Sequence, residues 1–389
     1  MKTNKRSRWV DWSIILGASL LALLLTKSIL KDITSLELFR PIEKKVDFKM
    51  SDIYNTVEKS RAAIPLSQDV LIVSVDSCDR AGVIETIHTI ASLQPKAIGL
   101  DIYFAVPQEN NDALMEMVFN TENLVSVMRV GTFDGGETYD RVPLSFYDAY
   151  VQPPHTGFVN MDASYPWNVV RTFVPYVMTS DGDTLPGMAM ALAQIADPQR
   201  AGQLAARGRT KEIIDFSSCE IEIVSAGQLM QADVAERVYD KVVIVGDIHD
   251  IKDCYLTPLH EPQAGVVIHA YMLQTILSGS YIRTSPVWVD WMIAIPICLL
   301  FIILMQLSKS HMSYWGSLIL RLSQFGIMYG LVWCGCRIFA DWHVYVDFAP
   351  ATVMLGLASL ACDLLSASYE IIKSSIHHIQ IYYSKRKAS

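Results

Sequence analysis

Cysteine is scarce: seven in 389 residues, and the three outside apolar runs have no ligand-like spacing, which argues against a disulfide-rich scaffold. Cys298, Cys334, Cys336 and Cys362 lie in apolar runs, while Cys78, Cys219 and Cys254 are scattered. One bridge among those three would leave the third free, and the spacing does not choose the pair. Charge is scarce too, at 19% of residues against about 25% in ordinary soluble proteins. Basic charge is outnumbered, 32 Lys and Arg against 40 Asp and Glu, for a net charge of −8, so nucleic acid is not an expected partner. Also missing are a Gly-rich phosphate loop of the Walker or dinucleotide type and a Gly-x-Ser-x-Gly elbow, so no cofactor is expected. There is no internal repeat and no low-complexity segment.

What is abundant is apolar surface, 51% of residues, gathered into long runs at 10–26, 287–307, 317–339 and 346–366. Each approaches the roughly 20 residues that a helix needs to cross hydrocarbon. The first follows Lys2, Lys5, Arg6 and Arg8 and carries Trp9 and Trp12 at its edge. Its exit, Thr26-Lys27-Ser28-Ile29-Leu30-Lys31, offers no small-x-small cleavage site, so it reads as an uncleaved signal anchor. Basic residues in the first link (Lys309) and in the tail (Lys373, Lys385, Arg386, Lys387) fall on the same side as the amino terminus when four spans are counted. The expected division is a cytoplasmic basic segment 1–8, an anchor 9–30, an extracytoplasmic α/β domain 31–285, a three-helix bundle 286–366 and a basic cytoplasmic tail 367–389. The expected location is the inner (plasma) membrane, with the Lys385-Arg386-Lys387 triplet meeting anionic lipid.

Within the central stretch, β-branched runs at 70–75, 97–100 and 242–245 read as buried strands, each closed by an acid or a glycine. Helical spacing at 83–93 and 112–120, with a further strand at 124–128, predicts βαβαβ and a mostly parallel sheet. Residues 157–177 read as a hairpin-like excursion or an added antiparallel edge, 185–195 as a helix after the turn Ser180-Asp181-Gly182-Asp183, 204–211 as a polar connection, and 213–224 as two short strands. Helical spacing at 265–277 is stopped by Gly279.

In open parallel sheets, ligands sit beyond the carboxyl ends of the strands, which draws attention to Asp76, Asp101 and Asp247. On neighbouring strands these acids converge, either as a polar ligand pocket, as oxygen ligands for a hard cation, or as caps of the following turns. Gly246-Asp247-Ile248-His249-Asp250 resembles the Gly-Asp-x-His signature of metallophosphoesterases, but the other histidines do not supply that family's further ligands. His377 and His378 lie in an amphipathic stretch, 369–383, and read as a solvated helix face rather than as phospho-acceptors. In the bundle, Arg321 and Asp363 fall at one depth of antiparallel helices and Arg337 and Asp347 at the other, with Asp290 near the outer level, which predicts two interhelical ion pairs.

Several separated blocks resemble the CHASE type 2 domain, a sensory module associated with cyclases and histidine kinases. They are 70–76, 95–104 with 111–114, 157–160 with Val170-Arg171, and 185–189, followed by the closing block of 241–246, Asp253, Thr257-Pro258-Leu259 and 265–270. The aromatic and proline segment usual after that family's first strand is replaced by Cys78-Asp79-Arg80-Ala81. The resemblance implies a sensory receptor; the expected ligand-binding residues are the post-strand acids Asp76, Asp101 and Asp247 together with His249, Asp253 and His269. No cyclase, kinase or phosphatase sequence follows the bundle, so a stand-alone sensor acting on a separate cytoplasmic protein is expected, without catalysis and compatible with a homodimer. A docking component of an envelope complex is the alternative, and a periplasmic metal phosphoesterase comes third.

Overall fold

The structure, a computed structural model, describes residues 8–32, 49–61, 64–76, 78–132, 138–149, 153–162, 168–259, 261–311 and 314–388. Lys2, Lys5 and Arg6, and the side chains of Arg8, Lys309, Lys385, Arg386 and Lys387, lie outside what is described. The chain divides into two compact units, residues 47–282 and residues 1–46 with 283–389.

The α/β unit is built on three strands that each contain an unbroken apolar run, 70–73, 97–100 and 242–245, because both faces are covered there. These are β1 (Leu66–Ser74), β2 (Ala97–Asp101) and β11 (Val242–Gly246). Leu71, Val73, Ile98, Leu100, Val243 and Val245 point to one face, under α3 (Arg80–Ser92), α4 (Asn111–Asn120) and α7 (Ala232–Val238). Val70, Ile72, Ala97, Val242 and Ile244 point to the other, against α5 (Met188–Ala196), α6 (Pro198–Ala206) and α8 (Gly265–Ser278). Burying each such Leu, Ile or Val contributes roughly 1.5–3 kcal/mol, so this two-faced core dominates the unit's stability. On the second face Gly99 leaves room for the helix layer, since a Cβ there would meet Met188 Cε at 2.7 Å and Leu192 Cδ1 at 2.9 Å.

The sheet runs β10 (Glu220–Ser225), β1, β11, β2, β3 (Leu124–Gly131), β4 (Asp140–Val142), and β5 (Thr156–Phe158) also pairs with β3. Every pairing is parallel except β3 with β4. The last long strand in sequence, β11, is thus the central one, between β1 and β2. Two short hairpins, β7 (Tyr176–Met178) with β8 (Thr184–Pro186) and β12 (Cys254–Leu256) with β13 (Pro262–Ala264), flank it, and β6 (Thr172–Phe173) pairs β9 (Glu212–Ile213).

Several boundaries differ from the sequence reading. Thr156–Phe158 is a parallel strand rather than part of an antiparallel hairpin, and the antiparallel edge is Asp140–Val142. The helix expected from 185 begins only at Met188, because Pro186 closes β8 and Gly187 keeps an extended backbone. The expected polar connection starts inside α6, which Asp197 caps by accepting from Arg200 N at 3.0 Å, with Pro198 in the first turn. Gly279 does end α8, in the left-handed conformation at φ 68°. Helix α2 (Met50–Arg61) went unread although Met50, Ile53, Tyr54 and Val57 recur at helical spacing, with Met50 and Tyr54 buried. It is held by the buried pair in which Arg171 Nε and Nη2 each donate at 2.7 Å to Asp52.

The second unit contains four helices long and apolar enough to cross a membrane: α1 (Arg8–Asp32), α9 (Val287–His311), α10 (Tyr314–Trp342) and α11 (Ala349–Ala388). Both α1 and α9 pack along α11. Polar groups join them inside the apolar stretch, where such bonds favour specific pairing. Gln306 Nε2 donates to Asp11 Oδ1 at 2.8 Å, and Gln324 Nε2 to Leu355 O at 2.6 Å. Arg321 Nη2 donates to Asp363 Oδ2 at 2.9 Å, linking α10 to α11. The second expected pair, Arg337 with Asp347, is replaced. Arg337 Nη2 lies 3.0 Å from Asp341 Oδ2, one turn on in its own helix, and Asp347 Oδ1 accepts from Ala349 N at the start of α11. Asp290 Oδ1 accepts from Ser285 Oγ at 2.6 Å and from Asp347 N at 3.3 Å. A small parallel pairing of β14 (Arg283–Thr284) with β15 (Val344–Tyr345) closes the unit.

Candidate functional site

Register places the carboxyl ends of three central strands side by side: Ser74 pairs with Gly246, and Gly246 with Asp101. The segments leaving those ends carry all the acids singled out by sequence, and they form two groups rather than one.

The outer group is Asp76, Asp247 and His249, whose ligand-type atoms all lie within 4.8 Å of one another. Asp76 Oδ1 accepts from Ile248 N at 2.8 Å, His249 Nδ1 lies 2.5 Å from Asp76 Oδ2, and Asp247 Oδ1 accepts from His249 N at 2.7 Å. Burial alone would raise the Asp76 carboxyl. Hydrogen bonds from Ser74, Ile248 N–H, His249 and Asp247 outweigh it and hold the group at about 2. A divalent cation finds two carboxylates and an imidazole here, but the same atoms already bind each other, tying the segment after β1 to the one after β11.

The inner group is Asp101, Asp253, Tyr255 and His269. Asp101 ends β2; Asp253 and Tyr255 flank the start of β12; His269 stands in the second turn of α8. Glycine permits the assembly at two points. A Cβ on Gly265 would meet Asp253 Oδ2 at 2.3 Å, so the carboxylate rests on the first turn of α8. A Cβ on Gly246 would meet Val266 Cγ2 at 2.8 Å and Asp101 Cβ at 3.4 Å. Burial pushes Asp101 up to about 7. It also raises Asp253, with the Asp101 charge adding to the effect and His269 and Tyr255 opposing it. His269, 3% exposed, is driven down to about 4 by burial despite Asp253, so it is neutral, and its Nδ1 has no hydrogen-bond partner among the described residues. Burial and Asp253 together push the Tyr255 phenol up to about 12, against the nearby Arg129 cation. Asp253, which feels both Asp101 and His269, thus stands between a carboxylic acid that keeps its proton near neutrality and a neutral imidazole.

Sequence reading found the six residues named for the rim but not that Asp101 belongs with Asp253 and His269 rather than with Asp76 and Asp247. It missed Tyr255, Arg129 and the two permissive glycines, since pairing across β11 is not visible along the chain. It also missed a cleft of about 460 Å³ away from the rim, between α2, β10 and α8, where Lys59 and Tyr271 meet.

No curated protein and no solved structure matches the chain. The model of the CHASE2 domain matches residues 19–306, from within α1, through the whole α/β unit, into α9. That match spans well over half of the sequence and both kinds of unit, and the chain belongs to the CHASE2 domain family.

Proposed function

We propose that this protein is a membrane-anchored sensor of the inner membrane, whose extracytoplasmic α/β domain takes up a small ligand and passes its state through the bundle to a separate cytoplasmic protein. The observation that carries the reading is that the family match begins and ends inside candidate spans, so the α/β unit is bracketed by α1 and α9. Basic residues before α1 and near the end of α11 favour a cytoplasmic location for both termini. A cleft of ligand size supports sensing of a small molecule. The reading includes no turnover, and hydrolysis of generic phosphoesters that disappears in Asp247→Asn would overturn that part of it.

Docking in an envelope complex is the second reading. It is favoured by Tyr103, Val106, Met230 and Ile251, large apolar side chains more than half exposed in the segments leaving β2, β10 and β11. Hydrogen exchange of the full chain in nanodiscs separates the two. Sensing predicts that the low-mass fraction of an envelope extract alters protection both in the α/β unit and in α11. A response to the macromolecular fraction alone would replace sensing with docking.

A further inference from the structure

The cleft between α2, β10 and α8 has a lining of unusual composition. Lys59 is half-buried, and its ammonium donates to Tyr271 Oη at 2.8 Å and to Phe216 O at 3.4 Å while lying 5.1 Å from the centre of the Tyr271 ring. An ammonium has three donors, and no carboxylate is ion-paired with this one among the described residues. Burial lowers its affinity for the proton, only partly offset by the more distant Glu220 and Asp215. A half-buried cation without a paired anion is the group that an incoming anion compensates best. The same cleft is lined by Ile221, Val267 and Leu259, an apolar floor, and by two exposed acids, Glu220 and Glu261.

These features select a ligand. One interior cation calls for one anionic group, and two acids at the edge disfavour phosphates and dicarboxylates by repulsion while attracting a positive charge. The apolar floor calls for a hydrocarbon body. We propose that this cleft binds a small zwitterion with an apolar body, of which an apolar amino acid is the simplest, with its carboxylate on Lys59 and Tyr271, its ammonium toward Glu220 and Glu261, and its side chain on Ile221, Val267 and Leu259. The assignment rests on the sensory reading for its use, and names the ligand class of that sensor. Because α2, β10 and α8 all contribute, an occupied cleft joins the edge of the sheet to α8, the helix that carries His269 and rests on Asp253.

Calorimetry on the full chain in nanodiscs tests this with three probes sharing the isobutyl side chain on the α-carbon: L-leucine, 4-methylpentanoate, which lacks the amine, and 3-methylbutylamine, which lacks the carboxylate. Valine, isoleucine and phenylalanine extend the first. Saturable binding is expected for the amino acids, weaker for the acid and weakest for the amine. Lys59→Gln should weaken the amino acids by at least about tenfold, the loss of one charge-assisted contact. Glu220→Gln with Glu261→Gln should bring leucine down to the level of 4-methylpentanoate. Ile223→Trp, at an exposed position of the cleft mouth, should weaken all probes while leaving the melting temperature unchanged, which covers the case in which Lys59→Gln fails to fold. No saturable binding of any amino acid to the folded chain, or binding indifferent to Lys59→Gln and Ile223→Trp, overturns the proposal. Amino-acid binding with no change of protection in α11 would leave this site standing and remove the sensory reading; a response of α11 to envelope extract without amino-acid binding would do the reverse.

Discussion

At the scale of single residues, the half-buried Asp101 and the buried His269 are shifted in opposite directions. Asp101 has its folded value raised from 3.8 to about 7, so between pH about 4 and 7 the native state holds more proton than the unfolded chain. The stability it contributes is present at low pH and is lost as pH rises through about 7. His269 has its folded value lowered from 6.5 to about 4, so its contribution is present above 6.5 and is lost as pH falls through about 4. Each group can tilt stability by at most about 1.4 kcal/mol per pH unit. Pulse proteolysis of the full chain should therefore show Asp101→Asn gaining stability relative to the wild type as pH rises from 5 to 7. His269→Gln should lose less than the wild type between pH 6 and 4. Unchanged pH profiles in both variants would mean that neither group is desolvated as described. The identities of these residues were legible because acids after apolar runs stand out. Their protonation was not, since it depends on the packing of α8, far along the chain, against the end of β11 beside Asp101 and against Asp253.

Elements were legible in proportion to their burial. The apolar strands β1, β2, β3 and β11 fell within a few residues of their expected limits, whereas α2 and α7, short helices whose few apolar residues are interleaved with charged and polar ones, went unread. The anchoring of α2 is therefore the informative test. Breaking the Asp52 and Arg171 pair from one side leaves a charge buried, at a cost of roughly 3–5 kcal/mol, while Asp52→Leu with Arg171→Met should recover much of it; additive losses in the double variant would refute the coupling. A second test uses the contact of β5 with α5. A Cβ on Gly157 would lie 2.4 Å from Met188 Cα and 2.8 Å from Met188 N, backbone that cannot turn aside. Gly157→Ala should destabilise by at least the roughly 1–3 kcal/mol of core overpacking. Gly202→Ala on α6, where nothing lies within 4 Å, should instead stabilise by up to about 1 kcal/mol. Thermal or denaturant unfolding of the two variants side by side reads the difference directly.

For the whole molecule, the four spans and their order followed from hydropathy alone, but which polar groups join them did not. Depth along antiparallel helices could nominate Arg337 and Asp347 as partners; it could not see that Asp341, one turn after Arg337, is closer. Arg321 with Asp363 is the pair that links two helices, so it is the place to test the bundle's arrangement. Both side chains keep more than a third of their surface outside the protein, and that exposure sets the expected size. In water such a pair is worth about 1 kcal/mol or less, whereas within the hydrocarbon or its boundary an unpaired charge costs roughly 2.5–3.5 kcal/mol by insertion scales. Arg321→Asp places two acids together, and Asp363→Arg two guanidiniums, so each single exchange should lower the yield of folded protein in membranes. Exchanging both restores opposite charges between α10 and α11 and should restore the yield. Topology enters the same experiment, because the proposed orientation puts this pair toward the cytoplasmic side. A cysteine at Ser374, on the exposed continuation of α11, should resist an impermeant thiol reagent in intact cells, and one at Gln203, exposed on α6, should react above the wild-type background. Labelling at Ser374 but not at Gln203 would invert the orientation. A double exchange no better than the worse single would show that Arg321 and Asp363 each reach the headgroups alone, leaving the contact of α10 with α11 to Gln324 and the apolar surface around it.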